Sequence, residues 1–395
     1  MKITVVGQGY VGLPLAIAAG NAGYTVYGLD NNVEKINSLV NGISLIEDLT
    51  DDVIKESINS KRYQPTTDEG VVANSELVLI CVPTPLSPDH KPDLGALISA
   101  ITTVGKNLTA GTLVIVESTI EPGTCRNLLL PILVKQSRLK EGEFGLAYSP
   151  ERIDPTNKKW GIGNTPKLVA GLTDNAAKRA EKFYRKFIDS ITICSSLEIA
   201  ETAKLLENSF RLVNISFINE LTIFCQKIGI DITEVISAAA TKPYGFMPFY
   251  PSVGVGGHCI PVDPIYLANA AKVVGAPSRF IELADQINQE MSGYFVGRAE
   301  EKLGGLNSKK VLVIGVSYKP NVADVRESPV ESLIVGLKQK GAQVSWHDDL
   351  VKEWNGEKSV ALSSNFDLAI IATPHDYLDL TKLENVPILN TRGSI

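Results

Sequence analysis

The sequence predicts an α/β fold, with two doubly wound α/β units joined by a helical middle that contains one long helix. Three observations carry this expectation. A strand–helix–strand pattern opens the chain, a run without Gly or Pro extends from Leu197 to Ile228, and a second strand–helix–strand pattern restarts at Lys309. The 395 residues, 44% hydrophobic and 21% charged, allow two or three domains with sizeable cores. Lys and Arg total 38 against 44 Asp and Glu, a net charge of −6, so no general attraction to nucleic acid is expected. Apolar runs such as Val311 to Val316 fall far short of a membrane span. The chain enters Lys2-Ile3-Thr4-Val5-Val6 with no leader-like apolar region, which argues against secretion. The five cysteines are odd in number and never two or three apart. Neither a disulfide framework nor a metal site is indicated, and the cytoplasm is the expected location.

The elements follow in order. Ile3 to Val6 is a β-branched strand, Tyr10 to Ala22 a helix, and Thr25 to Leu29 a second strand. Short apolar runs at Glu76–Val82, Thr112–Val116, Phe144–Tyr148, Lys167–Ala170 and Ile191–Ile193 read as further strands, with helices such as Leu94–Leu108 between them. That alternation implies a parallel, doubly wound sheet. The long helix spaces Ile199, Ala203, Leu206, Phe210, Val213, Phe217, Leu221 and Phe224 helically, which suits an interdomain spine or a dimer interface. Helical character continues to about Leu303, interrupted by a Gly/Pro-rich loop from Lys242 to Pro261. After the restart, Val311 to Val316 is a strand, Pro329 to Lys340 a helix closed by Gly341, and Gln343 to Trp346 a strand. Leu368 to Ala372 and Ile388 to Asn390 are later strands. The expected domain ranges are 1–196, 197–303 and 304–395.

Gly7-Gln8-Gly9-Tyr10-Val11-Gly12 follows the first strand and opens the first helix, the place of a dinucleotide fingerprint. Gly7 and Gly9 permit a tight turn and let backbone N–H groups approach a pyrophosphate; Gly12 lets helix pack on strand. Asp30, ending the second strand, would bond an adenosine ribose and repel a 2′-phosphate, so NAD is expected over NADP and the fold reads as Rossmann-like. A glycine-rich turn without a ligand is the competing reading, opposed by strand, spacing and acid together. Lys35 either assists at the ribose or is a solvated helix lysine. Ligands bind beyond the carboxyl ends of such strands. That places Pro83-Thr84-Pro85, Ser118-Thr119 and Ser149-Pro150-Glu151 on the cofactor-facing edge.

The stretch from Phe249 to Asp263 is the richest in chemistry. Its glycines and prolines indicate a shaped loop, and Pro261 to Lys272 reads as a helix, so Cys259 stands before a helix N-terminus where a thiolate is favoured. Cys81 and Cys225 lie inside apolar runs and read as structural; Cys259 does not, and reads as a nucleophile. His258 is adjacent, and adjacent side chains diverge, which argues against a protease-like pair. Asp263 lies four residues on, within reach if the turn is helical. Lys204, Asn208 and Arg211 share one face of the long helix, either as a solvated stripe or facing the cofactor cleft, where Lys204 and Asn208 would stabilise an alkoxide. The restarted unit lacks a full GxGxxG, so a second dinucleotide site is not expected; Lys319, Arg326 and Arg392 suit phosphate recognition, partly offset by Asp324 and Glu327.

Together these motifs resemble the UDP-glucose/GDP-mannose dehydrogenase family over nearly the whole chain. The matching motifs are Gly-x-Gly-Tyr-Val-Gly at the start, Lys204-x-x-x-Asn208, Gly256-Gly257-His258-Cys259-x-Pro261-x-Asp263, and Tyr318-Lys319-Pro320 with Asp324-x-Arg326-Glu327-Ser328-Pro329. The resemblance implies an NAD-binding domain, a central dimerisation domain and a nucleotide-sugar-binding domain in a homodimer or higher homo-oligomer. It also implies four-electron oxidation of a sugar C6 alcohol to a carboxylate with two NAD, supplying surface polysaccharide precursors. Cys259 would form a thiohemiacetal and then a thioester. Lys204 and Asn208 would hold oxyanions, Glu151 would act in acid–base steps, Asp263 would support water or Lys204, and Thr119 would position the reacting end. Arg152, Arg211, Tyr250, Ser252, Gly254, Gly256, Gly257, Lys319 and Arg392 match substrate positions along with Glu151, Lys204 and Asn208. Arg326 matches a cofactor contact that the family often supplies from the partner subunit.

Ser149-Pro150-Glu151-Arg152, His258 and Val262 look like the branch acting on UDP-N-acetylhexosamines. The UDP-glucose branch usually has Asn-Pro-Glu-Phe and a lysine before the aspartate, and lends an arginine that is not seen near Lys242-Pro243. UDP-glucose or GDP-mannose is thus the alternative substrate. A two-electron β-hydroxyacid dehydrogenase explains neither Cys259 nor the third domain, and a non-catalytic NAD-responsive regulator explains none of Cys259, Lys204 and Glu151.

Overall fold

The computed structural model describes every residue except 47, 48, 155, 156, 158, 394 and 395. The chain divides into two units, Met1–Leu206 and Glu207–Ile395. In the first, strands β1 (Lys2–Val6), β2 (Thr25–Leu29), β3 (Tyr63–Thr66), β4 (Leu77–Ile80), β5 (Leu113–Val116), β6 (Gly145–Tyr148), β7 (Lys167–Gly171) and β8 (Ile191–Ile193) form one sheet in the order β3-β2-β1-β4-β5-β6-β7-β8. The strand order is doubly wound, as the alternation requires. Helices α1 (Gly12–Asn21), α2 (Val33–Val40), α3 (Asp51–Asn59), α4 (Gly95–Asn107), α5 (Leu130–Ser137) and α6 (Asp174–Tyr184) connect the strands.

Period-two alternation explains why these strands are apolar throughout. Leu77 and Leu79 join a cluster with Leu13, Leu15, Ile54 and Phe183. Val78 and Ile80, facing the other way, join Leu97, Ile101, Leu129 and Leu133. Two features depart from the sequence reading. Strand β3 was not expected, since Tyr63-Gln64-Pro65-Thr66 has no apolar run; it sits at the sheet edge, where a proline is tolerated. The sheet is also not wholly parallel. Strands β6 and β7 pair antiparallel, with Ala147 opposite Gly171 and Tyr148 opposite Ala170.

Helix α7 (Leu197–Lys227) gives its first turns to the first unit and the rest to the second. There follow α8 (Ile232–Ala240), α9 (Asp263–Val273) and α10 (Arg279–Leu303), then β9 (Lys310–Ile314), α11 (Val330–Gln339) and β10 (Gln343–His347). A small hairpin of β11 (Glu353–Trp354) and β12 (Glu357–Lys358) precedes β13 (Leu368–Ile371) and β14 (Ile388–Asn390). The second sheet is parallel in the order β10-β9-β13-β14. Val311 and Val313 pack with Phe295, Leu333 and Leu337, while Leu312 and Ile314 pack with Ala369 and Leu383 on the opposite face. Beneath α7, Leu212 joins Ala268 and Ile281, and Ile218 joins Ile232 and Ile236. Of the helically spaced apolar positions, Val213 and Leu221 pack against these clusters, while Phe210, Phe217 and Phe224 are exposed.

Candidate active site

The dinucleotide loop is held by its own residues. Gly7 takes φ +90°, and a Cβ there would meet the Cys81 carbonyl oxygen at 2.6 Å; one at Gly12 would meet the Gly7 oxygen at 1.9 Å. At Gly9 a Cβ would meet nothing within 4 Å. Two glycines therefore serve the chain, and the third leaves the space that close approach of a pyrophosphate demands. The N-cap of α1, Val11, makes no side-chain cap hydrogen bond, which suits a helix start that receives an anion.

Asp30 is buried at the end of β2, where its Oδ2 accepts the Gln8 N–H at 2.8 Å and the Lys35 ammonium at 2.8 Å. Lys35 is thus an ion-pair partner of Asp30. Gln8, which the sequence reading passed over, is buried, donates its amide to the Val5 carbonyl at 2.7 Å and accepts the Tyr63 hydroxyl at 2.7 Å. The only sign of it in the sequence is its place inside the glycine motif. These groups suit NAD: a loop with open space, and an acid tethered beside it.

The segments beyond β4, β5 and β6 share the carboxyl edge of the sheet, as expected. Pro83 and Pro85 are exposed, with Thr84 and Thr119 half-buried; Tyr10 is exposed in the glycine loop. Ser118 is buried and donates to the Val82 carbonyl at 2.7 Å, so it ties two of these segments together. Glu151 is half-buried; its Oε1 accepts the N–H groups of Arg152 and Ile153, each at 2.6 Å. The Arg152 guanidinium donates to the Pro166 carbonyl at 2.7 Å.

Three buried charges in this unit were not read from sequence. The Lys167 ammonium lies 2.8 Å from Glu117 Oε2 and 3.6 Å from Glu151 Oε2. Burial disfavours charge on Lys167, but the two carboxylates outweigh it and keep the ammonium protonated. Glu201, fully buried on α7, accepts the N–H groups of Gly123 at 2.5 Å and Cys125 at 3.0 Å, anchoring the loop that carries Thr119. Glu117 ends an apolar run, the one signal available beforehand; Glu201 and Lys167 interrupt no such run. Lys204 and Asn208, one turn apart on α7, are both buried; Arg211 is exposed.

In the second unit the cysteine loop is shaped by the segment from Tyr318 to Pro329. A Cβ at Gly256 would meet the Glu327 carbonyl oxygen at 2.6 Å, and one at Gly257, where φ is +80°, would meet the Tyr318 ring at 2.8 Å. The Gly257 N–H donates to the Arg326 carbonyl at 3.3 Å. The glycine identities of 256 and 257 are thus explained by packing within the chain. A Cβ at Gly254 would meet Pro329 Cβ at 3.0 Å. The Ser252 N–H donates to the Asn219 side-chain oxygen at 2.9 Å, and Tyr250 is exposed.

Cys259 is exposed, whereas Cys81, Cys125 and Cys225 are buried and Cys194 is intermediate. Burial pushes the Cys81 and Cys125 thiols well up, away from the reactive thiolate. Helix α9 starts at Asp263, two residues later than expected, but the intervening turn is helical, since the Asp263 N–H donates to the Cys259 carbonyl at 2.9 Å. The Asp263 carboxylate, 2% exposed, accepts the Asn208 amide at 2.6 Å. Asn208 is therefore oriented by a buried acid.

The second sheet repeats the dinucleotide turn. The Gly315 N–H donates to the His347 carbonyl as the Gly7 N–H does to Leu29, and the Val316 N–H reaches Asp348 Oδ2 at 2.9 Å as Gln8 reaches Asp30. Asp348 also binds His375 Nε2 at 3.0 Å and the N–H groups of Leu350 and Val351, so this acid is fully engaged by the protein. Lys319 follows β9 and Arg392 follows β14 on the same edge of the sheet. Arg326 forks onto Asp324 in its own chain, Nε to Oδ1 at 2.8 Å. Among the described residues no cluster could hold a metal ion and no helix is long and apolar enough to cross a membrane.

Comparison with known proteins covers nearly the whole chain. Residues 1–188 match the NAD binding domain of the UDP-glucose/GDP-mannose dehydrogenase family, residues 198–290 its central domain and residues 312–393 its UDP binding domain. Protein CapL of Staphylococcus aureus is 35% identical over 96% of this chain and 92% of its own. The UDP-N-acetyl-D-glucosamine 6-dehydrogenase of Salmonella typhi is 33% identical over 95% of this chain and 90% of its own. The structure of UDP-D-ManNAc dehydrogenase from Pyrococcus horikoshii superposes with a TM-score of 0.91 at 32% identity, covering 99% of this chain and 95% of that one.

Proposed function

Because the chain belongs to the UDP-glucose/GDP-mannose dehydrogenase family, we propose that it oxidises the C6 alcohol of a UDP-N-acetylhexosamine to the uronic acid, using NAD. Its place is then the cytoplasmic supply of surface polysaccharide precursors. Residues 1–196 bind NAD, 197–303 dimerise and 304–395 bind the nucleotide sugar. The observation that carries this reading is the exposure of Cys259 alone among five cysteines, with Asp263 and Asn208 paired beside its turn.

Gly9 and Asp30 would hold NAD, which would supply the hydride acceptor for C6, one NAD for each of the two oxidations. Glu151 takes the hydroxyl proton as the first hydride leaves, giving an aldehyde. The Cys259 thiolate attacks that carbon, forming a C–S bond, and Lys204 with Asn208 stabilises the resulting oxyanion. Loss of the second hydride turns this thiohemiacetal into a thioester. Water then adds, the C–S bond breaks, and the thiolate is restored with a carboxylate product. Asp263 holds Asn208 and supports that water, while Thr119 positions the reacting end. Lys319 and Arg392 meet the diphosphate.

The exposed stripe Phe210, Phe217, Phe224 and Ile228 supports a homodimer, since exposed apolar faces of this kind mark interfaces. The decisive experiment follows NADH and product over UDP-GlcNAc, UDP-ManNAc, UDP-GalNAc, UDP-glucose and GDP-mannose. The expected result is two NADH per sugar acid with a UDP-N-acetylhexosamine, and no acid with Cys259→Ala. One NADH per turnover with a ketone product refutes the reading.

A further inference from the structure

The antiparallel pairing of β7 with β6 has a chemical consequence at the carboxyl edge of the first sheet. It brings the first residue of β7, Lys167, to the edge where Glu117 follows β5 and Glu151 follows β6. The Lys167 ammonium has three N–H groups and three acceptors around it: Glu117 Oε2 at 2.8 Å, the Pro150 carbonyl at 3.4 Å and Glu151 Oε2 at 3.6 Å. Tyr184 donates to the other Glu117 oxygen, and the ammonium lies 5.0 Å above its ring. Lys167, Glu117 and Tyr184 are all buried. A buried ion pair of this kind adds little stability over apolar residues of similar volume, so stability alone does not account for it.

Glu151 supplies a task for it. Its Oε1 is held by two backbone N–H groups of its own segment, which alone leaves the carboxylate folded back on a loop. Lys167, delivered by a different strand, faces the second oxygen. We infer that Lys167 is a positioning residue that fixes the Glu151 carboxylate for proton transfer, and that Glu117 and Tyr184 serve to fix Lys167. This inference rests on the acid–base role proposed for Glu151.

The test uses the full chain with NAD and the preferred UDP-N-acetylhexosamine. Lys167→Met alone strands the Glu117 carboxylate in the core and risks unfolding, so Lys167→Met/Glu117→Gln carries the experiment, with Lys167→Arg as the conservative variant. The double variant is expected to keep NADH affinity and the KM for NAD within about twofold, while kcat falls about tenfold to a hundredfold through misplacement of a proton-transfer group. Lys167→Arg recovers most of that loss. A folded double variant with wild-type kcat overturns the inference, as does Lys167→Arg performing no better than the double variant. Glu151→Gln, assayed alongside, separates the two readings. Wild-type kcat in Glu151→Gln removes the acid–base role and this inference with it. An inactive Glu151→Gln beside an unaffected double variant removes this inference alone.

Discussion

Adding one methyl group at Gly9, and separately at Gly12, distinguishes space kept for a ligand from space used by the chain. At Gly9 the new Cβ meets nothing within 4 Å, and the backbone there needs no positive φ. Gly9→Ala therefore costs no packing, and stiffening the unfolded chain stabilises by about 0.4–1 kcal/mol. In a unit the size of Met1–Leu206 that raises Tm by no more than about 2–4 °C. The same methyl stands where the pyrophosphate must approach. Losing about 2–3 kcal/mol of charge-assisted hydrogen bonding weakens NADH binding roughly 30- to 150-fold. At Gly12 the new Cβ lies 1.9 Å from the Gly7 carbonyl oxygen and 3.1 Å from Cys81 Cβ. A backbone oxygen cannot swing aside as a side chain can, so overpacking costs about 3 kcal/mol or more and lowers Tm by about 6–12 °C. Scanning calorimetry without ligand and titration calorimetry with NADH read both quantities. If Gly9→Ala loses as much stability as Gly12→Ala, or binds NADH as wild type does, the assignment of that space is wrong.

Three further outcomes follow from other parts of the molecule. Gly256→Ala should cost about 1–3 kcal/mol by overpacking, because Glu327 and Pro329 supply backbone and ring atoms within 2.9 Å of the new Cβ; thermal melts and the rate of Cys259 alkylation should both change. The Arg126 hydrogen bond holds the Glu198 carboxyl down from 4.5 to about 2, so its stabilisation is present above pH 4.5 and is lost as pH falls through about 2. The Tm difference between wild type and Arg126→Gln should therefore be visible at neutral pH and vanish below about pH 2; a difference that persists there contradicts the pairing. Phe217→Glu/Phe224→Glu places charges on the exposed stripe of α7 and should convert the proposed dimer to monomers in sedimentation velocity, each substitution costing the monomer no more than about 0.5 kcal/mol in stability.

Part of the candidate site is legible in the sequence. Gly7, Gly9 and Gly12 lie as the motif predicts because their spacing is dictated by one local turn, while Asp30 reaches the loop through the pairing of β2 with β1. Cys259 stood out by chemistry, and its exposure accords with that choice. Other positions carry contacts that no local pattern shows. Glycines 256 and 257 are demanded by Tyr318 and Glu327, which lie sixty or more residues away in sequence, so no local pattern could reveal the contact. Arg326, matched to a cofactor contact, is engaged by Asp324 of its own chain. The apolar spacing of α7 was correct as periodicity, yet periodicity does not say which face is covered, and Phe210, Phe217 and Phe224 are exposed.

Composition, strand–helix alternation and short motifs determined the two α/β units, the dinucleotide turn and the choice of Cys259 as the proposed nucleophile, because each is read from patterns within a few residues. Strand direction is different. Whether β7 runs with or against β6 depends on how the residues between them route the chain, and an apolar run such as Lys167–Ala170 reads the same either way. Only the tertiary structure decided that it runs antiparallel, and that reversal sets Lys167 between Glu117 and Glu151.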